Sequence, residues 1–184
     1  MRVIGGRLRG RPLAAPRSAA IRPTADRLRE TLFNILIHSF GDPVAHARVL
    51  DLFAGTGALG IEALSRGADF ALFIDDSPEA RALIRANVAT LGLGGTTRIF
   101  RRDAAKLGGA HPLQPFSLVF ADPPYGKELA AQALISAQEG GWLTPAALIV
   151  VEERKQSFAA PEHFEELERR GYDDTELIFL RNRP

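Results

Sequence analysis

Short apolar runs that alternate with helical patterns restrict the fold of this chain more than any other feature of its sequence. Runs typical of buried strands cover residues 49–53, 70–75, 97–101, 116–121 and 147–152. Helical patterns cover residues 58–66, 78–91 and 127–139. Strands that alternate with helices in this way are typical of a parallel sheet with crossover helices. The sequence therefore predicts a doubly wound, Rossmann-like α/β fold.

The amino-terminal residues depart from this alternation. Residues 1–23 are rich in Gly, Pro and Arg, which predicts an extended surface arm with at most a short hairpin. Thr24 or Asp26 can cap the helix that follows, and we expect the polar face of that helix to line a ligand cleft. That face carries Arg27, Thr31, Asn34 and His38. We therefore divide the chain into an arm and helix, residues 1–40, and a main domain, residues 41–184.

The carboxyl-terminal residues also differ from the centre of the chain. Residues 163–170 are predicted to form a helix. Residues 172–181 alternate between apolar and polar side chains, which predicts a strand that returns antiparallel. The predicted sheet is thus mostly parallel, with an antiparallel strand at its C-terminal end.

Basic residues are concentrated at the amino terminus. Residues 1–40 hold eight arginines and two acids, a charge of +6, whereas the remainder carries −5 and the whole chain +1. Arginine grips phosphate through paired N–H groups and stacks on bases, so this segment favours contact with nucleic acid. A solvated basic tail explains the charge equally well.

Composition excludes several classes of protein. The chain contains no cysteine, which rules out a disulfide framework and a thiolate metal site. No run approaches the roughly 20 apolar residues of a membrane span, and residues 1–12 lack the apolar core of a signal peptide. We therefore expect one cytoplasmic globular domain without a membrane partner.

A glycine-rich turn, with Gly55, Gly57 and Gly60, joins the first strand of the predicted sheet to its first helix. Glycine permits a tight turn and lets backbone N–H groups approach a ligand. Asp75 ends the second strand, 18 residues beyond Gly57, where an acid can accept both hydroxyls of a ribose. Turn and acid together predict a cofactor that contains a ribose, in preference to a turn that serves helix packing alone.

Two features favour S-adenosylmethionine over a nicotinamide dinucleotide. Only 32 residues follow residue 152, too few for the substrate domain of a dehydrogenase. Asp51, just before the glycines, would repel a pyrophosphate but can accept hydrogen bonds from the ammonium of a methionine moiety. Asp103, just past the third strand, is expected near the adenine, although capping of its own loop is the more frequent role of an Asp in such a place.

Asp122-Pro123-Pro124-Tyr125 follows the fourth strand, beside the topological switch point where open sheets bind ligands. Proline cannot continue a strand, so the acid and the ring stand at the rim of the sheet. An aryl amine is a poor nucleophile because its lone pair is delocalised. Hydrogen bonds to the Asp122 carboxylate and a proline carbonyl would draw it toward tetrahedral geometry, while Tyr125 stacks on its ring. The motif thus predicts methyl transfer to a planar amine, with no metal and no covalent intermediate, in preference to a simple turn of helix breakers.

Several blocks of the sequence resemble the bacterial RsmD family. The most specific block is residues 22–34, which reads Arg-Pro-Thr-Ala-Asp-Arg-Leu-Arg-Glu-Thr-Leu-Phe-Asn. The match extends over nearly the full chain through residues 2–6, 9–11, 51–60, 62–68 and 122–125, whereas the loop 104–115 fits no family pattern. The resemblance implies a class I S-adenosylmethionine-dependent methyltransferase fold. It also implies methyl transfer to the exocyclic N2 amine of a guanine in 16S, small-subunit ribosomal RNA.

The resemblance and the motifs together give a set of expected contacts. The donor would contact Asp51, Phe53, Ala54, Gly55, Gly57, Asp75, Asp76, Asp103, Ala104 and Asp122. The reacting amine would meet Asp122, Pro123, Pro124 and Tyr125. Ribosomal RNA would contact Arg7, Arg9, Arg11, Arg22, Thr24, Arg27, Arg29 and Asn34.

Other functions remain open on sequence grounds. The same clamp would suit a DNA adenine-N6 or a protein glutamine N-methyltransferase, although the basic arm weighs against a protein substrate. A non-catalytic nucleic-acid-binding module with a vestigial cofactor pocket and a small nicotinamide-dependent reductase are the alternatives from other classes. The RNA partner is either naked or within an assembling subunit, and its target base must lie in a loop or be flipped out. We expect a monomer, but the sequence contains no feature that determines the oligomeric state.

Overall fold

A computed structural model describes residues 1–17 and 25–184. Within these residues the strands are β1 (Arg48–Leu52), β2 (Phe70–Ile74), β3 (Thr97–Phe100), β4 (Phe116–Ala121), β5 (Leu143–Arg154), β6 (Phe164–Tyr172) and β7 (Thr175–Asn182). The α-helices are α1 (Asp26–Ser39), α2 (Ala58–Ser65), α3 (Pro78–Thr90) and α4 (Leu129–Glu139). None of these helices is long and apolar enough to cross a membrane.

The strands form one sheet in the order β3-β2-β1-β4-β5-β7-β6. Strands β1 to β5 run parallel, and β7 runs antiparallel to both β5 and β6. The predicted α/β fold and its antiparallel C-terminal strand are therefore confirmed. The strand order reverses between β1 and β4, so a crevice for ligands opens between their carboxyl ends.

The register of the sheet brings the ends of its central strands together. Leu52 of β1 pairs with Ile74 of β2 and with Ala121 of β4, and Ala121 pairs with Val151 of β5. The residues that follow these positions are Phe53, Asp75, Asp122 and Glu152. Candidate polar groups from β2, β4 and β5 thus lie along one edge of the sheet.

The two faces of the sheet are buried by different elements. Val49 belongs to the hydrophobic cluster shared with α1, α2 and α3, whereas its neighbour Leu50 belongs to the cluster shared with α4. This alternation follows from the period of two along a strand. Helices therefore cover both faces of the sheet and leave its carboxyl edge for the site.

The amino-terminal residues form the short hairpin that the sequence allowed. Val3 and Arg11 pair through a backbone hydrogen bond of 2.9 Å, and Val3, Leu8 and Leu13 are buried in the same cluster as α1 and α2. Ile4 and Gly5 donate their backbone N–H groups to Glu62 of α2. One hydrophobic cluster therefore contains residues from both sides of the proposed division between residues 40 and 41.

The predicted helix at residues 163–170 is wrong, because residues 164–170 lie in β6. Phe164 pairs with Asn182 and Tyr172 with Thr175, and the register shifts between Glu166 and Glu168. Glu and Arg have good helix propensity, which suggested a helix, but pairing with β7 overrides that local preference. The charged side chains suit β6 because it is an edge strand and charge discourages further strand pairing.

Candidate active site

The glycine-rich turn between β1 and α2 has the backbone conformation that its sequence predicts. Gly55 and Gly57 have φ angles of +61° and +80°, which lie in the left-handed region that favours glycine. At Gly60 the reason for glycine is packing, since a Cβ there would lie 2.5 Å from the Phe73 ring. The turn is therefore as tight as predicted, and the Gly57 N–H donates within it to the Ala54 carbonyl at 2.8 Å.

Asp75 is held beside this turn by two backbone donors. Its Oδ2 accepts from the Gly55 N–H at 2.9 Å, and its Oδ1 accepts from the Ser77 N–H at 2.9 Å. Burial raises the pKa of Asp75, while these two hydrogen bonds oppose the rise. The carboxylate is only partly buried and its direction is fixed. Such a group, next to a turn of left-handed glycines, fits the ribose of S-adenosylmethionine.

Asp51 lies beneath the turn, with 1% of its surface exposed. Its Oδ2 accepts from the Gly60 N–H at 3.0 Å, so it braces the start of α2. Burial raises the pKa of Asp51 well above its ordinary value, and the nearby Asp75 carboxylate raises it further. A bound cation would relieve this cost, so the donor's ammonium stays a predicted partner.

The other predicted donor contacts lie at the same edge with local roles of their own. The Asp103 Oδ1 accepts from the Ala105 N–H at 2.9 Å, so it caps the turn that Ala104 begins, which is the more frequent role of an Asp in such a place. Asp76 is exposed, and its backbone carbonyl accepts from Arg81 at 2.7 Å. Contact of these residues with the donor stays a prediction.

A cavity of about 420 Å³ opens next to Asp122. Its walls come from the first turns of α1, from the ends of β4 and β5, and from the hairpin between β6 and β7. The lining residues are Ala25, Arg27, Leu28, Thr31, Asp122, Glu152, Tyr172, Asp173, Asp174 and Thr175. This volume lies within the roughly 300–1,000 Å³ typical of small-molecule sites. It is therefore large enough for one nucleobase.

Acidic groups dominate this cavity. Among the described residues that line it, Asp122, Glu152, Asp173 and Asp174 are acidic and Arg27 is basic. An excess of carboxylates repels phosphate and attracts hydrogen-bond donors such as amines. The cavity is thus suited to the edge of a base and unsuited to the backbone of a nucleic acid.

Tyr125 is anchored by its hydroxyl to two residues that line this cavity. The hydroxyl donates to the Glu152 Oε1 at 2.9 Å and lies 3.0 Å from the Thr175 hydroxyl. Burial, as the largest cause, raises the pKa of Tyr125 above its ordinary value, so the hydroxyl keeps its proton in the physiological range. The ring after the two prolines is therefore held in one direction.

Sequence reasoning missed Glu152 and the hairpin residues 172–175 as parts of the site. The only local signal for Glu152 is that it ends the predicted fifth strand, because parallel strands of one sheet end at the same edge. The sequence predicts a helix at residues 163–170. It therefore does not predict the hairpin between β6 and β7.

The predicted RNA contacts separate into different environments. Arg7, Arg9, Arg11 and Asn34 are exposed, and Arg27 is exposed and lines the cavity. Arg22 and Thr24 lie outside the described residues. The cavity thus gathers Arg27 and Thr31 from the predicted polar face of α1, while Asn34 and His38 lie elsewhere on the surface.

At the bend after β4, Pro123 is buried and Pro124 is exposed.

The prediction that Arg29 grips RNA is wrong for the structure as it stands, because Arg29 is 0% exposed. Its guanidinium pairs with Asp26 at 3.0 Å and lies 3.5 Å from the Glu62 carboxylate. It also donates to the backbone carbonyl of Arg2. Arg29 therefore fastens the amino-terminal hairpin to α1 and α2.

Comparison with known proteins decides the family. A family model described as "Conserved hypothetical protein 95" matches residues 1–181. Ribosomal RNA small subunit methyltransferase D of Escherichia coli K12 is 43% identical over 83% of this chain and 74% of its own length. The chain belongs to the RsmD family. The predicted resemblance is confirmed.

Further relatives of this RsmD-family chain agree. Ribosomal RNA small subunit methyltransferase D of Haemophilus influenzae is 38% identical over 89% of this chain and 84% of its own length. The solved structure of yhhF from Escherichia coli has a TM-score of 0.82 and 33% identity, and the match covers 100% of this chain and 98% of that one. This member of the RsmD family is therefore a methyltransferase with the class I fold.

Proposed function

We propose that this chain transfers a methyl group from S-adenosylmethionine to the exocyclic N2 amine of a guanine in small-subunit ribosomal RNA. The observation that carries the proposal is the position of Asp122. It follows β4 at the switch point, with the glycine turn after neighbouring β1 on one side and the acidic cavity on the other. A carboxylate between a donor crevice and a cavity of base size suits transfer between the two.

The donor side rests on the turn after β1 and on Asp75. Glycines without a Cβ would let the methionine moiety approach the backbone of the turn, Asp75 would accept the two ribose hydroxyls, and Asp51 would accept from the ammonium. When bound, S-adenosylmethionine supplies an electrophilic methyl on a sulfonium, and the sulfur keeps the electron pair of the bond that breaks.

On the acceptor side, the loop after β4 would prepare the amine. Asp122 and the Pro123 carbonyl would accept its two hydrogens, which localises the nitrogen lone pair. That lone pair forms the new N–C bond, and the nitrogen becomes positively charged. The Asp122 carboxylate stabilises this developing charge until the extra proton leaves to water. Tyr125 contributes by orienting the ring, so positioning accounts for much of the rate.

RNA would reach the site along the basic amino terminus. The exposed side chains of Arg7, Arg9 and Arg11 lie on the hairpin that packs against α2, and Arg27 lies at the cavity mouth. These guanidinium groups would hold phosphates outside while the acidic cavity receives one flipped base. The family names of the relatives support ribosomal RNA as the substrate and the cytoplasm as the location. We propose that the protein acts as a monomer. Its substrate is either naked RNA or RNA within an assembling subunit.

Replacement of Asp122 tests this assignment. Asp122→Ala should abolish transfer while S-adenosylmethionine, measured by calorimetry, binds within a few-fold of wild type, because the donor would be held mainly by the turn and Asp75. Asp69→Ala is a matched control, since Asp69 is exposed before β2 and does not line the cavity. Undiminished methylation by Asp122→Ala would rule out the role that we give this residue.

A further inference from the structure

We propose that Glu152 is the residue that selects guanine, by accepting a hydrogen bond from the N1–H of the flipped base. This inference rests on the proposed function and deepens it. Glu152 ends the apolar run of β5, is 9% exposed, and lines the cavity together with Asp122. Val151 pairs with Ala121, so Glu152 and Asp122 occupy equivalent positions on adjacent strands.

Two neighbouring carboxylates match one edge of guanine and no edge of adenine or cytosine. Guanine presents N1–H and the N2 amine side by side, and both are donors. Adenine and cytosine present an amine beside a ring nitrogen that accepts. With Asp122 at the amine, a carboxylate opposite that ring nitrogen would pair acceptor with acceptor. Such a mismatch is costly in a buried site because neither group keeps its water.

The surroundings of Glu152 hold its carboxylate in place for this task. Tyr125 donates its hydroxyl to the Oε1 at 2.9 Å, and Thr175 lies 3.0 Å from the same hydroxyl. A carboxylate has about four acceptor positions, and the hydrogen bond from Tyr125 uses one of them. The same contact ties the ring that would stack on the base to the group that would read its edge. Recognition and orientation therefore depend on one structural unit.

Phosphate is a poor competitor for this position. Asp173 and Asp174 of the hairpin line the same cavity as Glu152 and Asp122 and add two further acids to it. A ligand that enters must therefore offer N–H groups and carry little negative charge of its own. A neutral guanine base meets both conditions.

Synthetic RNA with a single altered base tests the proposal. The target guanosine is replaced by 2-aminopurine riboside, which keeps the exocyclic amine but has an accepting N1. Wild type should methylate the guanosine RNA with a kcat/KM at least about tenfold higher than that for the 2-aminopurine RNA. In Glu152→Gln this ratio should fall to about one or below, because the glutamine amide can donate to the accepting N1.

Glu153→Gln is the matched control. It makes the same change one residue further along β5. Glu153 is buried, accepts a hydrogen bond from the Gly126 N–H and does not line the cavity. Its ratio of guanosine to 2-aminopurine RNA should stay at the wild-type value. An unchanged ratio in Glu152→Gln overturns the proposal. Equal use of the two RNAs by wild type overturns it without any variant. Absence of transfer to the guanosine RNA contradicts the proposed function itself, so the two failures are distinct.

Discussion

The Tyr125 hydroxyl donates a hydrogen bond of 2.9 Å to the Glu152 carboxylate. This contact joins the loop after β4 to the end of β5, and 27 residues separate the two partners in the sequence. It couples the aromatic ring of the proposed clamp to the acidic wall of the cavity.

Tyr125→Phe removes this contact and keeps the ring. We expect kcat to fall about tenfold, because a hydrogen bond to a charged group contributes about 1.5–3 kcal/mol and part of that serves orientation. Donor affinity should not change, since the donor would lie at the glycine turn. Single-turnover rates with ribosomal RNA and calorimetry with S-adenosylmethionine measure the two effects. Equal rates for Tyr125→Phe and wild type would show that the hydroxyl has no part in positioning.

Asp75→Asn tests the ribose site. The substitution is isosteric but loses the charge that two ribose hydroxyls would contact, so S-adenosylmethionine should bind roughly 10 to 100 times more weakly. Asp69→Asn, on the exposed turn before β2, is the control and should bind normally. Calorimetry gives both dissociation constants. Normal affinity in Asp75→Asn would place the donor elsewhere.

Asp51→Asn should stabilise the protein without a ligand at neutral pH. Burial raises the pKa of Asp51 in the folded state, so the ionised carboxyl costs stability. This cost is absent below the ordinary Asp pKa, grows as the pH rises through the raised folded pKa, and is constant above it. The stability difference between Asp51→Asn and wild type should therefore be small near pH 3 and larger at pH 7.

Urea unfolding at the two pH values measures this difference. The amide can still accept from the Gly60 N–H, so the brace beneath the turn survives. Affinity for S-adenosylmethionine should fall in the same variant, because the predicted partner of the ammonium is lost. A stability difference that does not change with pH would contradict the electrostatic cause.

Replacement by Met should affect protein stability at Arg29 and RNA binding at Arg27. Arg29→Met removes one of the two arginines that pair with the buried Glu62, and Arg66 stays in place. We therefore expect a loss of about 3 kcal/mol of unfolding free energy, the low end for loss of one member of a buried ion pair. Arg27→Met should change stability by less than about 0.5 kcal/mol. It should instead weaken RNA binding and reduce the slope of log K against log salt by about one. Equal stability of the two variants would contradict the structural role of Arg29.

The sequence predicted the central sheet and the glycine turn after β1 well, because their signals are local. Buried strands, a glycine turn and the Asp75 position can each be recognised within a few residues. The sequence does not predict β6, because its Glu and Arg residues favour a helix. Its pairing with β7, which makes it a strand, is a tertiary contact. The burial of Arg29 cannot be predicted from neighbouring residues either, because it depends on contacts with Glu62 and with the backbone of Arg2. Glu152 joins the site only through the pairing of β5 with β4.

Identification of the methylated nucleoside tests the central claim most directly. Ribosomal RNA from cells that lack the enzyme is incubated with the protein and labelled S-adenosylmethionine, then digested and analysed by mass spectrometry. We predict label in N2-methylguanosine of the small-subunit RNA, and none with Asp122→Ala. Label in methyladenosine, or no label in RNA with the wild-type protein, would contradict the account.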